Sequence, residues 1–116
     1  MRLSRSLSVA ALATLAGLAA VPACAAGLVQ VVAAENFYGD LATQIGGSHV
    51  AVTSVLSNPD DDPHLFESSP STARLLAAAD IVISNGVDYD PWMDKLLSAS
   101  TGTARTVIVA ADLVGK

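Results

Sequence analysis

The chain has 116 residues, of which 52% are hydrophobic, 15% charged and 4% aromatic, and its 6 basic and 11 acidic residues give a net charge of −5. One ordinary domain fits this length, and the high apolar content excludes a disordered tail or a collagen-like repeat. The acidic balance argues against a nucleic-acid-binding protein, because neutralising phosphates requires clustered Lys and Arg.

The first 25 residues are predicted to be a secretory signal peptide. Arg2 and Arg5 precede an uncharged, mostly apolar run over residues 7–21, and the small residues that follow suit cleavage after Ala25. The run is shorter than the roughly 20 residues that a membrane-spanning helix needs. Cleavage leaves a domain over residues 26–116 with four basic and all 11 acidic residues, a net charge of −7. A less favoured alternative is a lipoprotein anchored through Cys24.

Strands and helices are predicted to alternate along the rest of the chain. Apolar, β-branched runs predict four strands, near residues 28–34, 50–55, 80–84 and 106–110. Phe37, Leu41 and Ile45 are spaced by four and predict a helix after the first strand. Further helices are predicted to begin at Ser69, as an N-cap followed by Pro70, and after Asp90-Pro91. This alternation is typical of an α/β fold, here a parallel four-stranded sheet with helices on both faces.

The carboxyl ends of these strands form the predicted ligand edge, because ligands of open α/β sheets bind beyond those ends. Glu35 follows the first strand, residues 58–64 follow the second and residues 85–90 follow the third, so we expect them to converge. His64, on the middle loop, is the candidate metal ligand, since a neutral imidazole is a natural ligand for zinc. His49 opens the second strand and is interpreted as structural.

The acidic residues near this histidine have different expected roles. The run of three aspartates does not match an EF-hand, which needs a Gly and a bidentate Glu at later loop positions. Asp60 and Asp61 are therefore interpreted as a solvated turn. Asp62 and Glu67 flank the histidine and either orient its ring or are simple surface charge. One histidine does not make a site, because a tetrahedral shell needs three further ligands.

Other chemistries found on α/β folds are not matched. A dinucleotide site needs a Gly-rich turn after the first strand, where this chain has Glu35 and Asn36, and neither a P-loop nor a Gly-x-Ser-x-Gly motif occurs. A phospho-receiver domain needs an Asp at the end of the third strand, where Ser84 and Asn85 stand. No nucleophile and base pair is visible, so we expect neither an enzyme nor an organic cofactor.

Five segments carry a resemblance to a known family, and they are residues 31–42 (VVAAENFYGDLA), 62–67 (DPHLFE), 69–72 (SPST), 78–86 (AADIVISNG) and 92–97 (WMDKLL). Together they resemble the N-terminal lobe of the zinc/manganese substrate-binding proteins of bacterial ABC importers, the cluster A-I type. The resemblance spans essentially the whole predicted mature chain, and its specific part is the Asp-Pro-His element.

The resemblance implies one lobe of a two-lobed periplasmic protein, expected to be a monomer, that binds zinc or manganese and delivers it to an ABC permease in the inner membrane. His64 matches the family's first metal-ligating histidine. The other ligands are expected beyond residue 116, so residues 26–116 are expected to be a truncated lobe that binds zinc weakly alone. Some relatives are described as adhesins, and an exported adhesion or interaction protein is the alternative.

Overall fold

The computed structural model describes residues 27–100 and 104–115, so the predicted signal peptide and Cys24 lie outside the described residues. Within these ranges, no helix has the length and apolar character needed to cross a membrane. The strands are β1 (Val29–Glu35), β2 (Val50–Leu56), β3 (Ile81–Ser84) and β4 (Thr106–Val109). The helices are α1 (Asn36–Gly46), α2 (Pro70–Ala77), α3 (Pro91–Ala99) and α4 (Ala110–Leu113).

The four strands form one parallel sheet in the order β2-β1-β3-β4. Val31 of β1 pairs with Val52 on one side and with Ile81 on the other, so β1 is a central strand. Because the strands are parallel, β1, β2 and β3 all end at the same edge, where the loops after them meet. The predicted α/β fold with a four-stranded parallel sheet is confirmed.

Helices α2 and α3 cover one face of the sheet, and the main core lies between these helices and the sheet. It is a cluster of buried side chains that includes Val32 and Val82 from the sheet, Leu76 from α2, and Trp92 and Met93 from α3. The Trp92 ring lies 4.3 Å from that of Phe66, measured between centroids. Burial of these side chains supplies the main driving force for folding.

Local sequence determines where α2 begins. Ser69 is its N-cap, and the Ser69 hydroxyl accepts a hydrogen bond from the amide of Thr72 at 3.2 Å. Pro70 occupies the first helical position, where its missing N–H costs nothing and its fixed φ suits the helix. The predicted helix start is confirmed.

Helix α1 covers the opposite face of the sheet, and it packs there through small residues. Gly39 is buried so closely against β2 that a Cβ at this position would overlap the Ser54 hydroxyl. The apolar side chains spaced by four are instead largely exposed: Phe37, Leu41 and Ile45 are 48%, 53% and 79% exposed. The spacing thus predicted the helix correctly, but the stripe is not the face that packs on the sheet.

Candidate metal-binding site

Three segments meet beyond the carboxyl ends of the strands. The Tyr38 hydroxyl, on the first turns of α1, donates a hydrogen bond of 2.6 Å to the side-chain oxygen of Asn85, after β3. The His64 ring, on the loop after β2, meets the Tyr89 ring edge-on with centroids 5.6 Å apart. The predicted convergence of these segments is therefore confirmed.

His64 is held by the residue two places before it. It lies in a short 3-10 turn, Pro63–Leu65, for which Asp62 is the N-cap and Pro63 is the buried anchor. One Asp62 carboxylate oxygen accepts the His64 amide hydrogen at 2.9 Å and lies 3.0 Å from the imidazole Nδ1. The backbone bond, followed by the side-chain bond, lowers the pKa of the Asp62 carboxyl.

This arrangement makes Nε2 the nitrogen available for coordination. The His64 side chain is 56% exposed, so a ligand can reach the ring, while Nδ1 is occupied by Asp62. A carboxylate on the second nitrogen is the usual arrangement for a metal-ligating histidine, because it fixes the tautomer and increases the basicity of the coordinating nitrogen. The sequence offered Asp62 and Glu67 as residues that could orient the His64 ring. Asp62 contacts the ring, whereas Glu67 is exposed on the following loop.

The turn over residues 85–90 is fixed by a buried aspartate. Asp90 is 3% exposed, and its carboxylate accepts the amide hydrogens of Asn85 at 2.7 Å and Gly86 at 2.8 Å. These bonds hold a backbone that is left-handed at Gly86 (φ 78°), Val87 (φ 49°) and Asp88 (φ 60°). Left-handed non-glycine residues are uncommon and persist where their surroundings hold them.

Glu35, the last residue of β1, is a buried carboxyl group at the same edge. Its side chain is 2% exposed, and among the described residues neither carboxylate oxygen has a hydrogen-bond donor. Burial, followed by the negative charge of Asp90, raises the pKa of Glu35 to about 7. Burial and the charge of Glu35 also raise the pKa of Tyr38.

The sequence placed Glu35 and Asp90 at the ligand edge but did not show that either was buried. The role of Asp90 could have been predicted from a local pattern. Asn85-Gly86 is a turn dipeptide, and Asp90 follows closely enough to accept hydrogen bonds from its two amides. The burial of Glu35, by contrast, depends on the pairing of β1 with strands on both sides, which no local pattern records.

The remaining polar residues considered from the sequence lie on the surface or away from the site. Asp60 and Asp61 are exposed, and Asn58 bonds both of them in a solvated turn, as predicted. His49 directly precedes β2 and so lies at the amino end of that strand, opposite the site. Across the described ranges, no three His, Cys, Asp or Glu side chains come together in a group that could hold a metal ion.

Comparison with known proteins gives a family match over most of the chain. The family model described as zinc-uptake complex component A, periplasmic (ZnuA), matches residues 31–116. The manganese-binding lipoprotein MntA of Bacillus subtilis is 38% identical over 69 residues, which are 60% of this chain and 22% of MntA.

Solved structures share the fold. The periplasmic zinc-binding protein TroA of Treponema pallidum superposes with a TM-score of 0.69 at 24% identity, over 77% of this chain and 31% of TroA. A mutant, Mn-bound periplasmic metal-binding protein from Candidatus Liberibacter asiaticus has a TM-score of 0.65 at 20% identity, over 75% of this chain and 32% of that one. The chain thus spans about a fifth to a third of the length of these relatives.

Proposed function

The chain belongs to the ZnuA family of periplasmic zinc-uptake components, and from this premise we propose that it is part of an extracytoplasmic receptor lobe that binds a divalent transition metal through His64. The ion is cargo, zinc or manganese, for delivery to an ABC permease in the inner membrane. The observation that carries the proposal is the exposed imidazole with Asp62 on Nδ1. The role is one of binding and transfer, not of catalysis.

The relatives support a divalent metal as the cargo. MntA is described as manganese-binding and TroA as zinc-binding, and this chain is similar to both. Imidazole nitrogen suits zinc and other borderline first-row metals, so His64 alone does not discriminate between the two. The choice of metal is expected to depend on the ligands that complete the shell.

We propose that those ligands come from outside the described residues. A zinc shell needs four ligands, and the described residues provide no cluster of three candidate groups. The chain alone is therefore expected to bind zinc with a dissociation constant above about 1 μM, weaker than about −8 kcal/mol. Export through removal of residues 1–25, leaving residues 26–116, is part of the same proposal.

Calorimetric titration of the chain with zinc tests the role of His64. His64→Ala should abolish the measurable binding, whereas His49→Ala, the matched control, should leave it unchanged because His49 lies at the opposite edge of the sheet. Asp62→Asn should weaken binding about tenfold, the smaller loss expected for a group that orients a ligand. Equal zinc affinity in wild type and His64→Ala would disprove the assignment. Sub-micromolar, one-to-one binding that needs His64 would instead show that the chain completes the shell by itself.

A further inference from the structure

Glu35 and Asp90 form a pair of buried carboxyl groups at the base of the 85–90 turn. Both side chains are almost fully buried. The register of β1 and β3 puts Asn85 beside Glu35, and the Asn85 amide is bonded to the Asp90 carboxylate, so the two carboxyl groups lie at the same point of the sheet edge. Asp90 already accepts two backbone hydrogen bonds, whereas Glu35 has no donor among the described residues. Two adjacent carboxylates without a cation cannot both be ionised at low cost, so one of them is expected to keep its proton up to about pH 7. Glu35, which has no donor among the described residues, is therefore the carboxyl group that protonation stabilises.

We propose that Glu35 is a positioning residue for the metal site: as a neutral carboxylic acid it donates a hydrogen bond to Asp90, and the shared proton holds the turn that places Tyr89 against His64. The inference rests on the proposed function in taking His64 as the metal ligand. In this proposal Glu35 does not touch the metal ion; it acts on His64 through the 85–90 turn.

The proposed bond from Glu35 would act on His64 through Asp90 and Tyr89. Asp90 receives the proposed bond from Glu35 and binds the amides of Asn85 and Gly86, which begin the turn. Tyr89 precedes Asp90 directly, so the position of Asp90 sets that of the Tyr89 ring, whose contact with the imidazole is edge-on. The Asn85 side chain is held in addition by the Tyr38 hydroxyl. Loss of the bond from Glu35 would therefore loosen the side of the site that Tyr89 forms.

Among the residues that the structure describes, no positively charged side chain acts on the Glu35 carboxyl in place of the proton. Strand β2 places the apolar Leu56 beside it in the register, and β3 ends there in the uncharged Ser84 and Asn85. Asp90 from the turn acts on Glu35, Glu35 and Asp90 act on Tyr38 from α1, and Tyr89 from the turn lies near Tyr38. Asp90 and the two tyrosines are neutral or negative, so they favour the acid form of Glu35.

The first test follows the metal-free chain by NMR and does not depend on zinc binding. The side-chain carboxyl carbon of Glu35 should titrate near pH 7, and the cross-peaks between the Tyr89 and His64 ring protons should weaken as it does. Titration near the ordinary value for Glu, about 4.3, or ring contacts that stay constant through the titration, would overturn the inference. Neither result would bear on whether His64 binds metal.

The second test compares Glu35→Gln with Glu35→Leu in zinc titrations at pH 8. Gln supplies an N–H donor to Asp90 at every pH, so its ring contacts should persist and its zinc affinity should equal or exceed that of wild type. Leu has no donor, and its affinity should be about tenfold lower than that of the Gln variant, the loss typical of groups that orient a ligand. Glu67→Gln, the same change at an exposed position, should match wild type. A Gln variant that binds zinc as weakly as the Leu variant would overturn the inference, since the ionised carboxylate would then be the active form.

Discussion

Replacing Glu35 with Gln is expected to remove a pH-dependent loss of stability. In the unfolded chain the Glu35 carboxyl ionises near 4.5, whereas in the folded protein its pKa is about 7. Between these values the unfolded state binds fewer protons than the folded state, so the free energy of unfolding falls as the pH rises. The stability is fully present below pH 4.5 and is lost as the pH rises through 7. At about 1.4 kcal/mol per pH unit, the loss over this window is at most about 3.5 kcal/mol.

Urea denaturation followed by the fluorescence of Trp92 measures this difference, because Trp92 is the one tryptophan of the chain and is buried against Phe66. Glu35→Gln should be within about 1 kcal/mol of wild type at pH 5 and more stable by about 2 to 3 kcal/mol at pH 8. Other titrating groups contribute equally to both proteins and cancel in the difference. Glu67→Gln should track wild type at both pH values. Free energies of wild type and Glu35→Gln that stay parallel from pH 5 to 8 would refute the reasoning.

Two further substitutions test the packing that supports the site. Arg105 donates from its guanidinium to the carbonyls of Leu76 at 3.2 Å, Leu97 at 3.2 Å and Ser100 at 3.1 Å, so it ties together the ends of α2 and α3. Arg105→Ala should lower the free energy of unfolding by about 2 kcal/mol. The control is Arg74→Ala, at an exposed position, which should change this free energy by less than about 0.5 kcal/mol. Equal effects of the two substitutions would contradict the role of Arg105. Gly86→Ala should cost at least about 2 kcal/mol, because φ is 78° and the added Cβ would lie 2.6 Å from a methyl carbon of Val109. Gly115 is also at positive φ, but a Cβ there would have nothing within 4 Å, so Gly115→Ala measures the cost of the backbone conformation alone. If Gly86→Ala lowers the free energy of unfolding no more than Gly115→Ala does, the contact with Val109 contributes nothing to the loss.

The sequence predicted the elements whose causes are local. Runs such as Ile81–Ser84 form strands because their side chains suit a buried, pleated surface. The start of α2 followed from Ser69 and Pro70, which are both contained in one turn of chain. The expectation that His64 lies at the ligand edge followed from strand order, a property of the whole α/β class.

The features that the sequence did not predict are set by contacts between distant segments. The small Gly39 approaches β2 most closely, whereas the apolar residues of α1 spaced by four stay largely exposed. Glu35 is buried at the end of β1, which lies between β2 and β3, so its burial depends on pairing with strands elsewhere in the chain. Its altered pKa needs both the turn and Asp90 in place. Periodicity within one element carries no information on either point.

In the proposed site, one residue would coordinate the metal ion and other residues would orient that residue. His64 combines a metal-binding atom, exposure and a fixed orientation, since Asp62 holds Nδ1 and Tyr89 packs against the ring. Asp90 is occupied by backbone amides, and Glu35 is buried below the turn. An ion held by one imidazole gains little affinity, but an imidazole already held in place loses little conformational freedom when further ligands close on the same ion. The described residues are thus suited to present one ligand in a fixed position, and metal selectivity must come from the groups that join it.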